Sequence, residues 1–175
     1  MENDGIVHDV WRDSMKVVFL DFNGILDTYE NMDVVDPDNL MRLKRIIDET
    51  GSKVVLTTSN KNNYYRSGKI CGILKYIIDS LLEAGIDVIG MVPMLDTREE
   101  EIHAYLCEHP EVESFVILED DYEMPSFSGN IIKLPCQMIG KEQTGLLDEH
   151  VDEAIQILGK EYNNNVNYEL KMNNL

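Results

Sequence analysis

The chain has 175 residues, a formal net charge of −18 and three cysteines. That length fits one domain with a real core, and the charge excludes broad, sequence-independent binding to a nucleic acid backbone, which needs a basic surface. No apolar run reaches the ~18 residues of a membrane span, and Cys71, Cys107 and Cys136 lack metal-type spacing, which suits free thiols in a reducing cytoplasm.

Residues 1–14 are acidic and lack the basic and apolar regions of a signal peptide. They read as a loose leader, with Trp11 as an anchor onto the domain. Val17-Val18-Phe19-Leu20 then runs into Asp21, and Gly24 forces a turn. A continuous apolar run closed by a glycine turn predicts a central parallel strand over 16–21. Open α/β sheets hold ligands at the carboxyl ends of their strands, so Asp21 is placed for chemistry by pattern alone. Residues 24–35 are too few for a folded cap but enough for a small flap.

Asp36-Pro37 is a helix start, acid as N-cap and proline at the first helical position. Leu40, Leu43, Ile46 and Ile47 share the buried face of that helix, and Gly51 ends it. A second buried strand is predicted over 53–57 and a second helix over 70–84, stopped by Gly85. Next come a third strand over 87–92 and a third helix over 98–108, ended by Pro110. Strands over 115–118 and 130–134 follow, then a last helix over 148–158. Residues 161–175 read as a flexible Asn-rich tail. Alternating strands and helices over 15–160 imply one α/β domain, a parallel sheet with helices on both faces.

Three strands end in groups suited to one site: Asp21, then Thr57-Thr58-Ser59, then Glu119-Asp120-Asp121. They converge if the first strand lies between the second and the fourth. Carboxylates from two strand ends form a hard oxygen site that suits Mg²⁺. A hydroxyl beside them can donate to a phosphate, and a cation at a helix start, Arg98 or Lys61, can neutralise it. Each piece also has an ordinary reading. Acids after strands make turns, Thr57 and Ser59 can cap one, and Arg98 can pair with Glu99, Glu100 or Glu101. Residues 50–78 contain no acid but hold Lys53, Lys61, Arg66, Lys69 and Lys75, with Tyr64 and Tyr65 among them. This island is either a solvated face or a substrate-facing rim from which Lys61 and Arg66 reach an anion.

The order of the pieces carries a resemblance. Asp21-Phe22-Asn23-Gly24-Ile25-Leu26 is similar to the Asp-x-Asp-Gly-Val-Leu opening of the haloacid dehalogenase (HAD) superfamily. Leu56-Thr57-Thr58-Ser59-Asn60-Lys61, Arg98-Glu99-Glu100-Glu101-Ile102 and Leu118-Glu119-Asp120-Asp121 resemble later motifs of the small HAD domains in Swiss-army-knife RNA-repair proteins. Gly145-Leu146-Leu147 resembles the segment that precedes their last helix. The resemblance covers about residues 15–159.

It implies a three-layer Rossmann-like fold, capless or with a minimal flap, and a site open to a macromolecular end. It makes Asp21 the nucleophile and a Mg²⁺ ligand. Thr57 binds the phosphoryl group, and Arg98 is the stabilising cation. Asp120 is a second ligand, supported by Glu119 or Asp121. Gly24, Thr58 and Ser59 face the substrate. Two residues depart from the pattern. Asn23 stands where the family has its acid/base Asp, and Glu119 replaces the first acid after the fourth strand. The Asn23 carbonyl can still meet the metal, but its amide cannot carry a proton. The leading reading is a Mg²⁺-dependent phosphohydrolase of a phosphomonoester, a nucleotide or a nucleic acid end. The alternative is a protein that binds metal and a phosphorylated ligand without useful turnover. A receiver domain would need a phosphorylated Asp after the third strand, where Met94-Leu95 stand.

Overall fold

The central strand is β1 (Met15–Leu20), and both of its neighbours run parallel to it. The structure, a computed structural model, describes residues 14–135 and 144–162. Trp11, Cys136 and the tail beyond 162 lie outside those residues. After β1 come α1 (Pro37–Thr50), β2 (Lys53–Leu56), α2 (Lys61–Ser67), α3 (Gly72–Glu83) and β3 (Val88–Met91). Then follow α4 (Arg98–Glu108), β4 (Val112–Glu119), β5 (Ile131–Lys133) and α5 (Asp148–Leu158). The sheet order is β3-β2-β1-β4-β5, parallel throughout.

Side chains alternate across each strand, and the two sets build two cores. Val18, Leu20, Leu56 and Leu118 pack with Leu43, Ile46, Ile77 and Val151, placing α1, α3 and α5 on one face. Val17, Phe19, Val55 and Ile117 pack with Ile102, Tyr105 and Leu106 of α4 on the other. Phe19 lies edge-on to Tyr105 and Phe115, both at 5.6 Å. Burial on both faces is why β1 carries no polar alternation. The result is the three-layer α/β arrangement expected from the alternating pattern.

Some boundaries differ from the sequence reading. Residues 61–67 form α2, which the pattern missed because Lys-Asn-Asn-Tyr-Tyr-Arg-Ser has no apolar period. It is closed by Gly68 in the left-handed conformation, whose N–H donates to the Tyr64 carbonyl at 2.7 Å. β4 begins at Val112 rather than 115, because Ser114 is buried and its hydroxyl donates to the Ile157 carbonyl at 3.4 Å. Helix α3 begins at Gly72 rather than 70, since Cys71 is extended. The chain stays on the domain as far as Tyr162, whose N–H donates to the Glu113 carbonyl and whose ring lies 4.5 Å from that of Phe115. The residue 24–35 connection is a flap of turns with one bridge, Thr28 to Asn31. Among the described residues, no helix is long and apolar enough to cross a membrane.

Candidate active site

The sheet register sets the site. Leu20 pairs with Leu56 on one side and Leu118 on the other, so the next residues, Asp21, Thr57 and Glu119, stand abreast. The Asp21 N–H donates to the Leu118 carbonyl and the Thr57 N–H to that of Leu20. The convergence that the strand order had to satisfy is present.

Asp21, Glu119 and Asp120 each bring a carboxylate oxygen within 4.8 Å of the others, and all three are buried. Burial, and then the Glu119 charge, push the Asp21 carboxyl well above the usual carboxylate range, with Arg98 pulling the other way. Three such acids side by side could hold a cation. Glu119 also holds its own loop, since Oε1 accepts from the N–H groups of Asp120 and Asp121 at 3.1 Å each. Its Oε2 has no hydrogen-bond partner among the described residues and lies 3.6 Å from Arg98 Nε. Glu119 rather than the exposed Asp121 thus completes the cluster. Gly24 has φ 77°, and a Cβ there would come 2.2 Å from Asp120 Oδ2. Only glycine lets the turn pass so close to that carboxylate.

The Asn23 side chain is engaged in the flap. Its Nδ2 donates to Asp27 Oδ2 and Asp33 Oδ1, both at 2.9 Å. Asp27, fully buried, also accepts from the N–H groups of Gly24 at 2.7 Å and Asp33 at 2.9 Å. Asp33 adopts φ 62°, the one positive-φ non-glycine among the described residues. Asp27 carries no signal in the sequence, since an acid three residues after a glycine looks like any turn former.

Thr57 Oγ1, beside Asp21, is buried without a hydrogen-bond partner among the described residues. Thr58 Oγ1 turns back to accept from the Asn60 amide at 3.2 Å, while Ser59 Oγ accepts from Arg98 Nη2 at 3.4 Å. Arg98 opens α4 behind a capping box in which Thr97 Oγ1 accepts from the Glu100 N–H. Its Nη1 donates to Glu101 Oε2 at 2.7 Å, and its guanidinium lies 5.1 Å from the Tyr122 ring centre. Lys61 is buried and donates to both Glu101 oxygens at 3.0 Å. Burial, and then the Arg98 charge, lower its pKa.

A cleft of about 150 Å³ opens beside the carboxylates, lined among others by Ser59, Lys61, Asn62, Asp96, Arg98 and Tyr122. Arg66 is not part of its wall; it sits exposed on the last turn of α2. Within the acid-free window, Lys53 pairs with Asp87 and Lys75 with Asp79, leaving Arg66 and Lys69 without an ion pair among the described residues.

The family described as the HAD domain in Swiss Army Knife RNA repair proteins matches residues 17–151. No curated protein and no solved structure matches the chain.

Proposed function

Because the chain belongs to the HAD domains of Swiss Army Knife RNA repair proteins, we propose that it is a Mg²⁺-dependent phosphohydrolase acting on a phosphomonoester through an aspartyl-phosphate at Asp21. The observation that carries this reading is the buried cluster of Asp21, Glu119 and Asp120 at adjacent strand ends. These are hard oxygen donors, and a divalent cation would offset the burial and the Glu119 charge that raise the Asp21 pKa. Asp21, Asp120 and Glu119 would hold the ion. Bound Mg²⁺ would neutralise charge on the phosphoryl oxygens.

An Asp21 oxygen attacks phosphorus as the ester oxygen departs, and water then cleaves the aspartyl-phosphate. The unpartnered Thr57 hydroxyl donates to a phosphoryl oxygen, and Arg98 adds positive charge beside Glu119. Asn23 cannot protonate the leaving oxygen or take a proton from the water. A positioned acid contributes ~10²–10⁴ in rate, about 3–5 kcal/mol of barrier. The engagement of the Asn23 amide by Asp27 and Asp33 therefore favours a second reading, a protein that binds metal and phosphorylated ligand with little turnover.

Leaving-group chemistry separates the two. Aryl phosphates need little protonation and alkyl phosphates much. The wild-type protein should hydrolyse aryl phosphates slowly and alkyl phosphates hardly at all. Asn23→Asp should raise the alkyl rate at least ~10-fold, with a smaller gain on the aryl ester. No gain on either ester, with Mg²⁺ still bound, would hand the protein to the binding reading.

A further inference from the structure

The cleft beside the carboxylates meets the phosphoryl site at Arg98, which lies in its wall and also faces Glu119, and its Ser59 stands two residues beyond Thr57. Whatever is esterified to a phosphate at Asp21 therefore has this cleft next to it. The cleft is small against the roughly 300–1,000 Å³ of sites that enclose a drug-sized ligand. It admits one ring, with the rest of the molecule left outside.

Its chemistry is unusual for a pocket near a phosphate. The two cations in its wall are already matched: Lys61 lies on both oxygens of Glu101, and Arg98 on Glu101 and Glu119. Neither is left over for a second anionic group. What is left over accepts hydrogen bonds. Among the described residues, the Asp96 carboxylate makes no hydrogen bond or ion pair and Asn62 Oδ1 is buried without a partner. An ionised carboxylate can only accept, and two adjacent hydroxyls can satisfy both of its oxygens at once. We infer that this cleft binds the sugar of a sugar phosphate by its vicinal hydroxyls, with Asp96 as their main acceptor and Asn62 as a second polar partner, and that it rejects a second phosphate there. The inference rests on reading the carboxylate cluster as the seat of the scissile phosphate.

Slow turnover makes equilibrium binding measurable on the wild-type protein. Calorimetry in Mg²⁺ would compare inorganic phosphate, methyl phosphate, ribose 5-phosphate and 2-deoxyribose 5-phosphate. A hydrogen bond to a charged acceptor supports a preference of about tenfold. Ribose 5-phosphate should bind about tenfold tighter than methyl phosphate, and 2-deoxyribose 5-phosphate should lose most of that gain. In Asp96→Ala the ratio of ribose 5-phosphate to methyl phosphate affinity should fall below about twofold. This ratio cancels the general gain that any anion makes when an acid is removed. Asp96 is exposed and precedes the capping Thr97, so the variant keeps the helix start. Equal binding of ribose 5-phosphate and methyl phosphate, or a preference that survives in Asp96→Ala, would overturn the inference and leave the phosphohydrolase reading intact. Failure of inorganic phosphate to bind at all would overturn both.

Discussion

Glu101 holds two buried cations at once. Both of its oxygens accept from Lys61, and Oε2 also accepts from Arg98. Removing one partner of a buried ion pair strands the other charge, which costs about 3–5 kcal/mol. Glu101→Ala should therefore destabilise the protein by about that much in denaturant unfolding, and adding Lys61→Met should recover part of the loss. A loss below about 1 kcal/mol would mean that the network is not held as the structure has it. Glu101 was hard to see in the sequence, where Glu99, Glu100 and Glu101 look alike. Helical geometry separates them: Glu101 turns inward to Lys61 and Arg98, Glu100 closes the capping box, and Glu99 accepts from the Ser126 N–H. Asp21, Thr57 and Glu119 were legible for a different reason. Each ends an apolar run, and a parallel sheet leaves the ends of adjacent strands side by side.

Helix α4 positions the site through its first turn. Arg98 is its first residue, and the capping box of Thr97 and Glu100 fixes where the helix starts. Loss of an N-cap hydroxyl typically costs about 0.5–2 kcal/mol. Thr97→Ala should lower stability within that range and Thr97→Ser should restore it, as read by urea midpoints. Elements with a strong period and clear punctuation were legible to the residue. α1 runs from Pro37 to the residue before Gly51, and α4 and α5 span the ranges read from the sequence. α2 was not legible, because its polar residues carry no period and its support comes from neighbouring elements. Tyr65, for instance, donates to the carbonyl of Val92, the residue that follows β3. The start of β4 was hidden by Glu113 and Ser114, polar residues within a strand whose place is set by pairing with β1.

The whole molecule should couple its stability to pH and metal through the same cluster. With its pKa raised in the fold, Asp21 binds its proton more tightly folded than unfolded. Its contribution to stability is thus present at low pH and lost as pH rises from the usual Asp range through the raised value. Mg²⁺ binds the ionised form and opposes that loss. At a concentration a hundred times its Kd, a native-state ligand adds about 2.7 kcal/mol. Melting curves should show Mg²⁺ stabilising the protein more at about pH 8 than at about pH 5, and the metal-free slope should flatten in Asp21→Asn. The fold was readable from alternation alone, whereas the cleft was not, because its wall draws on three separate connections that meet only when the sheet is assembled. Asp21 as the nucleophile has a direct chemical consequence. With Asn23 unable to activate water, an aspartyl-phosphate made from an aryl phosphate should form and persist. Acid-quenched protein would be digested and its peptides weighed by mass spectrometry. The peptide containing Asp21 should carry one phosphoryl group, dependent on Mg²⁺ and absent from Asp21→Asn. An unmodified Asp21 peptide in the Mg²⁺-loaded wild-type protein, or equal labelling without the metal, would rule out Asp21 as the metal-dependent nucleophile.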